Sequence, residues 1–475
     1  MRTCAILATS LLLASCGHRV AAPDEVLPLE LPSQWSEATD ASGAPLSSTW
    51  WTAFDTQELN ELIPRVWKAN PDLMIARAAL RQTEAMAEIA GAARWPSASA
   101  GLQAGRSRQN LIGLPIPGAG DVLPITNSSF ALSLDLSWEL DLWGRVDAAV
   151  DAAESELLAS QAELEAAQLS LAGQTVQVWL ARTETQQQVA IAEEMRALAE
   201  QRLNHLEARF DRGTATASQL LDAQQAVTAW QRRTAQLALS LDAQQRALQT
   251  LLGEYPVGLT EETVLAHAVL PELPNTLPAG APATLLGRRP DLAAAEARYY
   301  AATAREREAR ASLYPRLALT SSGGTSSNDL GDLLDGDFRV WSLAGGLTAP
   351  LFEGGRLRAN VDANAAGAEA AAWSFARDFL RALGEVEAGL RTEQSLQQQL
   401  SDQQLNESRA ARQGELAERR FRSGTGSLLD WIDARSGALE ARSQRLALQL
   451  QLLQNRTALY LALGGGFDSS QADER

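Results

Sequence analysis

The sequence predicts a mixed fold, a membrane β-barrel joined to a long α-helical barrel, built from a duplicated strand/helix unit that supplies four strands per chain. Three observations predict it. The chain contains itself twice: Arg209-Phe210-Asp211-Arg212-Gly213-Thr214 returns as Arg420-Phe421-Arg422-Ser423-Gly424-Thr425, an offset of 211 (424 − 213). Each copy holds stretches in which apolar and polar residues alternate strictly. Each copy then becomes helical for a very long way: from Val146 to about Asp211 there is no proline, and glycine occurs only at Gly173.

The register of the duplication is informative. Asn70-Pro71-Asp72-Leu73 matches Arg289-Pro290-Asp291-Leu292 at an offset of 219, so the first copy carries eight extra residues (219 − 211) between Pro96 and Phe130. A length change in one place, with register kept on both sides, is how a surface loop behaves. Two copies of a long unit imply internal pseudo-symmetry.

The chain opens with a basic Arg2, an apolar run and Leu13-Ala14-Ser15-Cys16. This reads as a signal peptide over 1–15, with an apolar run too short to span a bilayer. The string looks like a bacterial lipobox, which implies cleavage before Cys16 and its acylation; the alternative is an ordinary signal with an incidental cysteine. Gly17 stands where Asp marks inner-membrane retention, which favours the outer membrane. Cys4 leaves with the signal and Cys16 would be acylated, so the mature chain then has no thiol for a disulfide. The net charge of −17 and the lack of a basic stripe exclude a nucleic-acid partner. The three histidines, His18, His205 and His267, lack metal-ligand spacing. With no phosphate loop and no nucleophile elbow, an enzyme reading has nothing to stand on, and no cofactor or metal is expected.

Along the chain, 16–49 is an extended, lipidated segment rich in proline. Repeat 1 occupies 50–253. A first helix is predicted from Trp50-Trp51 through Trp67, and a second from Asn70-Pro71-Asp72, with Asn70 as N-cap and Pro71 in the first turn. A β-hairpin follows at about 96–142, in which Phe130-Ala-Leu132-Ser-Leu134-Asp135-Leu136-Ser-Trp138-Glu139-Leu140 puts apolar residues on one face and Ser133, Asp135, Ser137 and Glu139 on the other. Strands of this length with an apolar outer face, a polar lumen face and aromatics near their ends (Trp95, Trp138, Trp143, Tyr314, Trp341) fit a membrane barrel; the alternative is a soluble amphipathic hairpin packed on its own helices. Next comes a helical hairpin with its tip near 213. Leu157, Leu164, Leu171 and Val178 recur every seventh residue in its first arm, which would reach about 100 Å. A Pro-rich connector spans 254–283. Repeat 2, at 284–464, places its β-hairpin at about 315–352, with Leu317 and Leu319 preceding a Gly/Ser/Asp loop, and its helical tip near 424. A polar tail, 465–475, ends the chain. The helix before the strands and the helix after each tip can stack end to end and match the long helix.

Four strands cannot close a barrel, and lipid does not tolerate open sheet edges. Closure therefore requires several chains, and a homotrimer gives a twelve-stranded barrel wide enough for a lumen.

The strings Trp50-Trp51-Thr-Ala-Phe54, Asn70-Pro71-Asp72-Leu73, Ser137-Trp138-Glu139-Leu140-Asp141-Leu142-Trp143-Gly144-Arg145 and the two Phe-x-x-Gly-Thr turns carry a resemblance. Over nearly the whole mature chain, the sequence resembles the outer-membrane factor family, TolC-like and closest to its OprM-like lipoprotein branch. The resemblance implies a passive outer-membrane exit duct of a tripartite efflux system, lipid-anchored, with its helical barrel in the periplasm. It implies as partners a periplasmic adaptor and an inner-membrane transporter, the resistance-nodulation-division type being favoured, with outer-membrane lipid around the barrel. Small molecules such as drugs or other toxic compounds are the favoured cargo; a polypeptide duct of type I secretion is the nearer alternative, and a periplasmic coiled-coil structural lipoprotein the alternative of another class. Four methionines and sparse histidine lend no support to a copper or silver route.

The resemblance also implies that the helix tips, Gly213-Thr214 and Gly424-Thr425, are adaptor-docking sites, and that aspartates matching Asp430 and Asp433 form rings at a periplasmic gate. Asp222 is the repeat partner of Asp433, while Gln219 stands opposite Asp430. Phe421 stands where the family has a tyrosine that can pair near the tip. The competing reading is that acids in a first helical turn merely favour the helix dipole.

Overall fold

In the computed structural model the described residues are 32, 34–36, 47–112, 122–260, 269–274, 277, 279 and 282–466. The expected signal peptide, Cys16, most of the 16–49 segment and the tail from 467 lie outside them.

The described chain begins with a 3₁₀ turn, Trp50–Phe54. Then come α1 (Gln57–Ala69), α2 (Pro71–Ala92), β1 (Ser97–Ile112), β2 (Val122–Leu140), α3 (Arg145–Phe210) and α4 (Ala217–Leu251). The second copy supplies α5 (Pro290–Ala311), β3 (Arg316–Ser327), β4 (Arg339–Thr348), α6 (Arg356–Arg422) and α7 (Leu428–Ala462). The single helix expected from Trp50 to Trp67 is divided, because Asp55 adopts the left-handed conformation (φ 48°, ψ 44°) and interrupts the helical ladder. Among the described residues no helix is long and apolar enough to cross a membrane.

The chain folds as two compact units. One contains 88–155 and 298–376, and its sheet is an antiparallel meander in the order β1-β2-β3-β4. Its register lines up Leu102, Leu132, Thr325 and Arg339, then Ala100, Leu134, Gly323 and Trp341, on one face. The other face carries Gly101, Ser133 and Gly324, then Ser99, Asp135 and Ser322. β3 continues well past Leu319, where the sequence suggested a loop. Its later positions on the leucine face are Ser321, Gly323 and Thr325, so the apolar alternation fades while the ladder persists. Gly324 is needed for backbone approach: a Cβ there would lie 1.9 Å from the Leu132 carbonyl oxygen.

The other unit contains the described residues of 30–87, 156–297 and 377–466. Its core gathers Trp50, Trp51, Phe54, Leu59, Ile63, Trp179, Leu180 and Tyr460. Trp50 stacks on Tyr460 at 5.2 Å between ring centroids, and Trp67 meets Trp51 edge-on at 5.1 Å. Both copies make the same joint here. Asn70 caps α2, accepting from the Asp72 and Leu73 amides, and its Nδ2 donates to the Leu251 carbonyl at 3.0 Å. Arg289, the repeat equivalent, donates through Nη1 to the Ala462 carbonyl at 3.1 Å. Leu251 and Ala462 are themselves repeat equivalents (462 − 251 = 211). Between α6 and α7 the guanidinium of Arg456 makes two bonds to Glu393, at 2.6 and 2.7 Å, and one to the Pro274 carbonyl.

Candidate gate and channel surface

The first tip is a tight reversal. Gly213 sits at φ +71°, a conformation an L side chain rarely adopts, and its N–H donates to the Phe210 carbonyl at 2.8 Å. The Thr214 amide and hydroxyl both donate to the Arg209 carbonyl, and Arg209 returns a bond to the Thr214 carbonyl. α4 then starts with a capping box: Thr216 accepts from the Gln219 amide, and the Gln219 side chain accepts from the Thr216 amide.

The second tip repeats this chemistry with a charge added. Gly424 lies at φ +75°, and the Thr425 amide donates to the Arg420 carbonyl at 2.9 Å. The box that opens α7 pairs Ser427 with Asp430, whose amide donates to Ser427 Oγ at 3.0 Å and whose carboxylate accepts from the Ser427 amide at 3.4 Å. Asp430 therefore does in the second copy what Gln219 does in the first. Gly213, Thr214, Gly424 and Thr425 are all exposed.

The remaining gate candidates separate. Asp433 is ion-paired with Arg202 of α3, and two residues further on Arg435 donates to Glu194 of α3 at 2.7 Å. Asp222, the repeat partner of Asp433, is exposed, and its carboxylate takes part in no hydrogen bond or ion pair among the described residues. The repeat equivalents of Arg202 and Glu194 are Gln413 and Leu405 (offset 211), and that of Arg435 is Gln224, so neither ion pair can be reproduced by the other copy. Phe421 stacks on Trp431 at 6.0 Å, with 14° between ring planes. Sequence reasoning missed Arg202 and Trp431. The heptad-scale pattern of α3 gives no hint of a partner 231 positions away, although Trp431 lies ten residues beyond Phe421 across a recognisable turn.

On the polar face of the sheet, Ser133 Oγ donates to Asp135 at 2.8 Å, and the Ser137 carbonyl accepts from Ser97 Oγ. Glu139 is already partnered: Arg145, the first residue of α3, makes two bonds of 2.9 Å to its carboxylate. Those bonds hold the Arg145 guanidinium above its ordinary pKa. Ser133, Asp135, Ser137 and Glu139 thus share one face, but Asp135 is the acid there without a cationic partner. Where the strands meet the helices, Trp143 stacks on Tyr314 at 5.1 Å and its indole donates to the Pro315 carbonyl. Among the described residues no group of His, Cys, Asp and Glu is placed to hold a metal.

Comparison with known proteins places this geometry. The profile of a family described as "Outer membrane efflux protein" matches residues 62–254 and 281–465. The pyoverdine export outer membrane protein OpmQ of Pseudomonas putida is 35% identical over 473 residues, covering 98% of this chain and 97% of that protein. The toluene efflux pump outer membrane protein TtgI, also of Pseudomonas putida, is 30% identical, covering 88% of this chain and 87% of that protein. The solved outer-membrane channel OprN superposes with a TM-score of 0.80 at 27% identity, covering 92% of this chain and 98% of that one.

Proposed function

The chain belongs to the outer membrane efflux protein family, and from that premise we propose that three copies close into the exit duct of a tripartite efflux system. As a family member it is an outer-membrane efflux channel, not an enzyme. The observation that carries the trimer is the sheet: four strands, with β1 and β4 each leaving an open edge, beside a face of leucines. Open edges are not tolerated in lipid, and three sheets of four give the twelve strands a lumen needs.

In this reading Leu132, Leu134, Leu136 and Leu140 face lipid while Ser133, Asp135, Ser137 and Glu139 face the lumen. An adaptor docks on the tips at Gly213-Thr214 and Gly424-Thr425, and an inner-membrane transporter supplies the energy. Asp430 and Asp433 stand near the tip, where each becomes a ring of three, and Asp222 and Phe421 complete the constriction. The partnering of Asp430 by Ser427 and of Asp433 by Arg202 supports a gate that is held by bonds within each protomer. Pyoverdine and toluene are named for two relatives of this chain; their chemical difference supports small-molecule cargo chosen by the transporter.

The test is native mass spectrometry of the full protein extracted from outer membranes, together with planar-bilayer recording. A mass of three chains and discrete conductance steps are expected; a monomer without conductance sinks the duct.

A further inference from the structure

β2 outruns its neighbour β3: it pairs with β3 only from Phe130 to Leu140, whereas it pairs with β1 up to Val122. The extra length carries two arginines. By register, Arg106 lies opposite Ser128 and Arg108 opposite Thr126. All four fall on the face that carries Leu102, Leu132 and Leu134, since that face takes the even positions of both strands.

Their height follows from strand geometry. From Leu140 up to Phe130, at about 3.4 Å per residue, β2 covers about 34 Å, which a tilt of about 40° reduces to about 26 Å. An outward apolar band is about 25 Å tall, so Phe130 and its partner Ala104 close the band. The next outward positions are Ser128 and Arg106, and the next Thr126 and Arg108. This end of the strands is remote in sequence from the helices, so it faces outside.

Both guanidiniums are exposed, and neither has a hydrogen-bond or ion-pair partner among the described residues. Three arginines near the opposite end of the strands are engaged, Arg94 with Asp147, Arg145 with Glu139 and Arg356 with Glu353, whereas Arg316 there is exposed. In the described part of this hairpin the acids are Asp135 and Glu139, both on the other face. Two cations and two hydroxyls thus form a square just above the apolar band, continuous with the lipid-facing surface. A guanidinium fork matches a phosphate in two-point contact, and basic residues at a membrane surface gain from anionic headgroups.

We propose that Arg106 and Arg108, with Thr126 and Ser128, bind the phosphates of the phosphorylated glycolipid in the outer leaflet. The proposal rests on the membrane-facing assignment of the leucine face. The occupant is the lipid rather than a neighbouring protomer, because the square lies on the same face and directly above the lipid-facing leucines.

The experiment titrates the detergent-solubilised full-length protein with purified lipopolysaccharide and with enzymatically dephosphorylated lipopolysaccharide, reading glycolipid retained per chain by native mass spectrometry. The wild type should retain the phosphorylated form, and Arg106→Gln with Arg108→Gln should weaken retention by roughly tenfold or more. Equal retention by the double variant overturns the proposal. So does equal retention of the dephosphorylated form by the wild type, a comparison that needs no variant to fold. Loss of the SDS-resistant oligomer with retention unchanged would instead make the arginines contacts between protomers. A fluorophore on Leu134→Cys in bilayers of brominated lipid separates the premise: no quenching defeats the facing assignment, whereas quenching together with unchanged retention defeats only the phosphate site.

Discussion

Arg202 and Asp433 are 231 positions apart in sequence and form an ion pair that ties the long helix of the first copy to the returning helix of the second. Both side chains are more than a third exposed, so the pair contributes no more than about 1 kcal/mol. Arg202→Ala is expected to leave trimer melting nearly unchanged while raising single-channel conductance, because the tip loses a tie. Unchanged conductance would mean the pair plays no part in closure.

Asp430 holds two roles that one substitution can separate. The first copy fills the same capping position with Gln219, so Asp430→Gln should keep the box and remove the charge. Stability should shift by no more than about 0.5 kcal/mol, whereas Ser427→Ala, which loses the box, should cost about 1 kcal/mol. If acidic rings gate the duct, Asp430→Gln with Asp433→Asn removes block by divalent cation added on the periplasmic side. Block that persists in that double variant leaves Asp430 as a helix cap.

The two faces of β2 should respond oppositely to one charge. Leu134→Arg is expected to cost about 2–4 kcal/mol per chain if the residue lies at mid-membrane. Ser133→Arg, its neighbour on the other face, should be far milder. The yield of SDS-resistant oligomer after outer-membrane extraction measures both, and equal losses would sink the facing assignment.

Arg456 and Glu393 form a deeply buried ion pair, with side chains 3% and 11% exposed. Glu393→Gln leaves a buried guanidinium without its counter-charge, a change that costs about 3–5 kcal/mol. Thermal denaturation followed by circular dichroism should show the loss. Arg456→Gln with Glu393→Gln should recover much of it, since no charge is then stranded, and failure of that recovery would count against the pairing.

Asp291 provides a pH-dependent contribution. Burial raises its carboxyl pKa, but the bonds and charge of Arg289 and the Leu292 amide outweigh burial and set it below the ordinary carboxylate value. A carboxyl depressed in the folded state stabilises above its unfolded pKa of about 3.9, and the contribution is lost as pH falls through the folded value. Asp291→Asn should therefore melt below the wild type at neutral pH, with the gap closing in acid. A gap that stays constant with pH would assign the effect to packing.

Much of this architecture is legible in the sequence because its signals are local. The alternation from Phe130 to Leu140, Asn70 before Pro71, and Gly213 and Gly424 each state a backbone preference within a few residues. The continuation of β3 through Gly323 and Gly324 is hidden, since small residues at outward positions imitate a loop until the partner strand is in place. The partners of the gate candidates are hidden for another reason. Arg202 reaches Asp433 only after both copies have folded together, and no periodicity records a contact at that separation. Arg145 beside Glu139 was within reach, being six residues away across the Trp143-Gly144 turn.

The joint at Asn70 has a mechanical consequence. α3 is one unbroken rod of 66 residues, whereas α2 and α4 meet end to end through a side-chain bond to the Leu251 carbonyl. Arg289 makes the matching splice in the second copy. Each repeat therefore sets a continuous shaft beside a hinged one. The spliced member can pivot at its joint without breaking covalent structure or unwinding a turn, a freedom the unbroken rod beside it lacks.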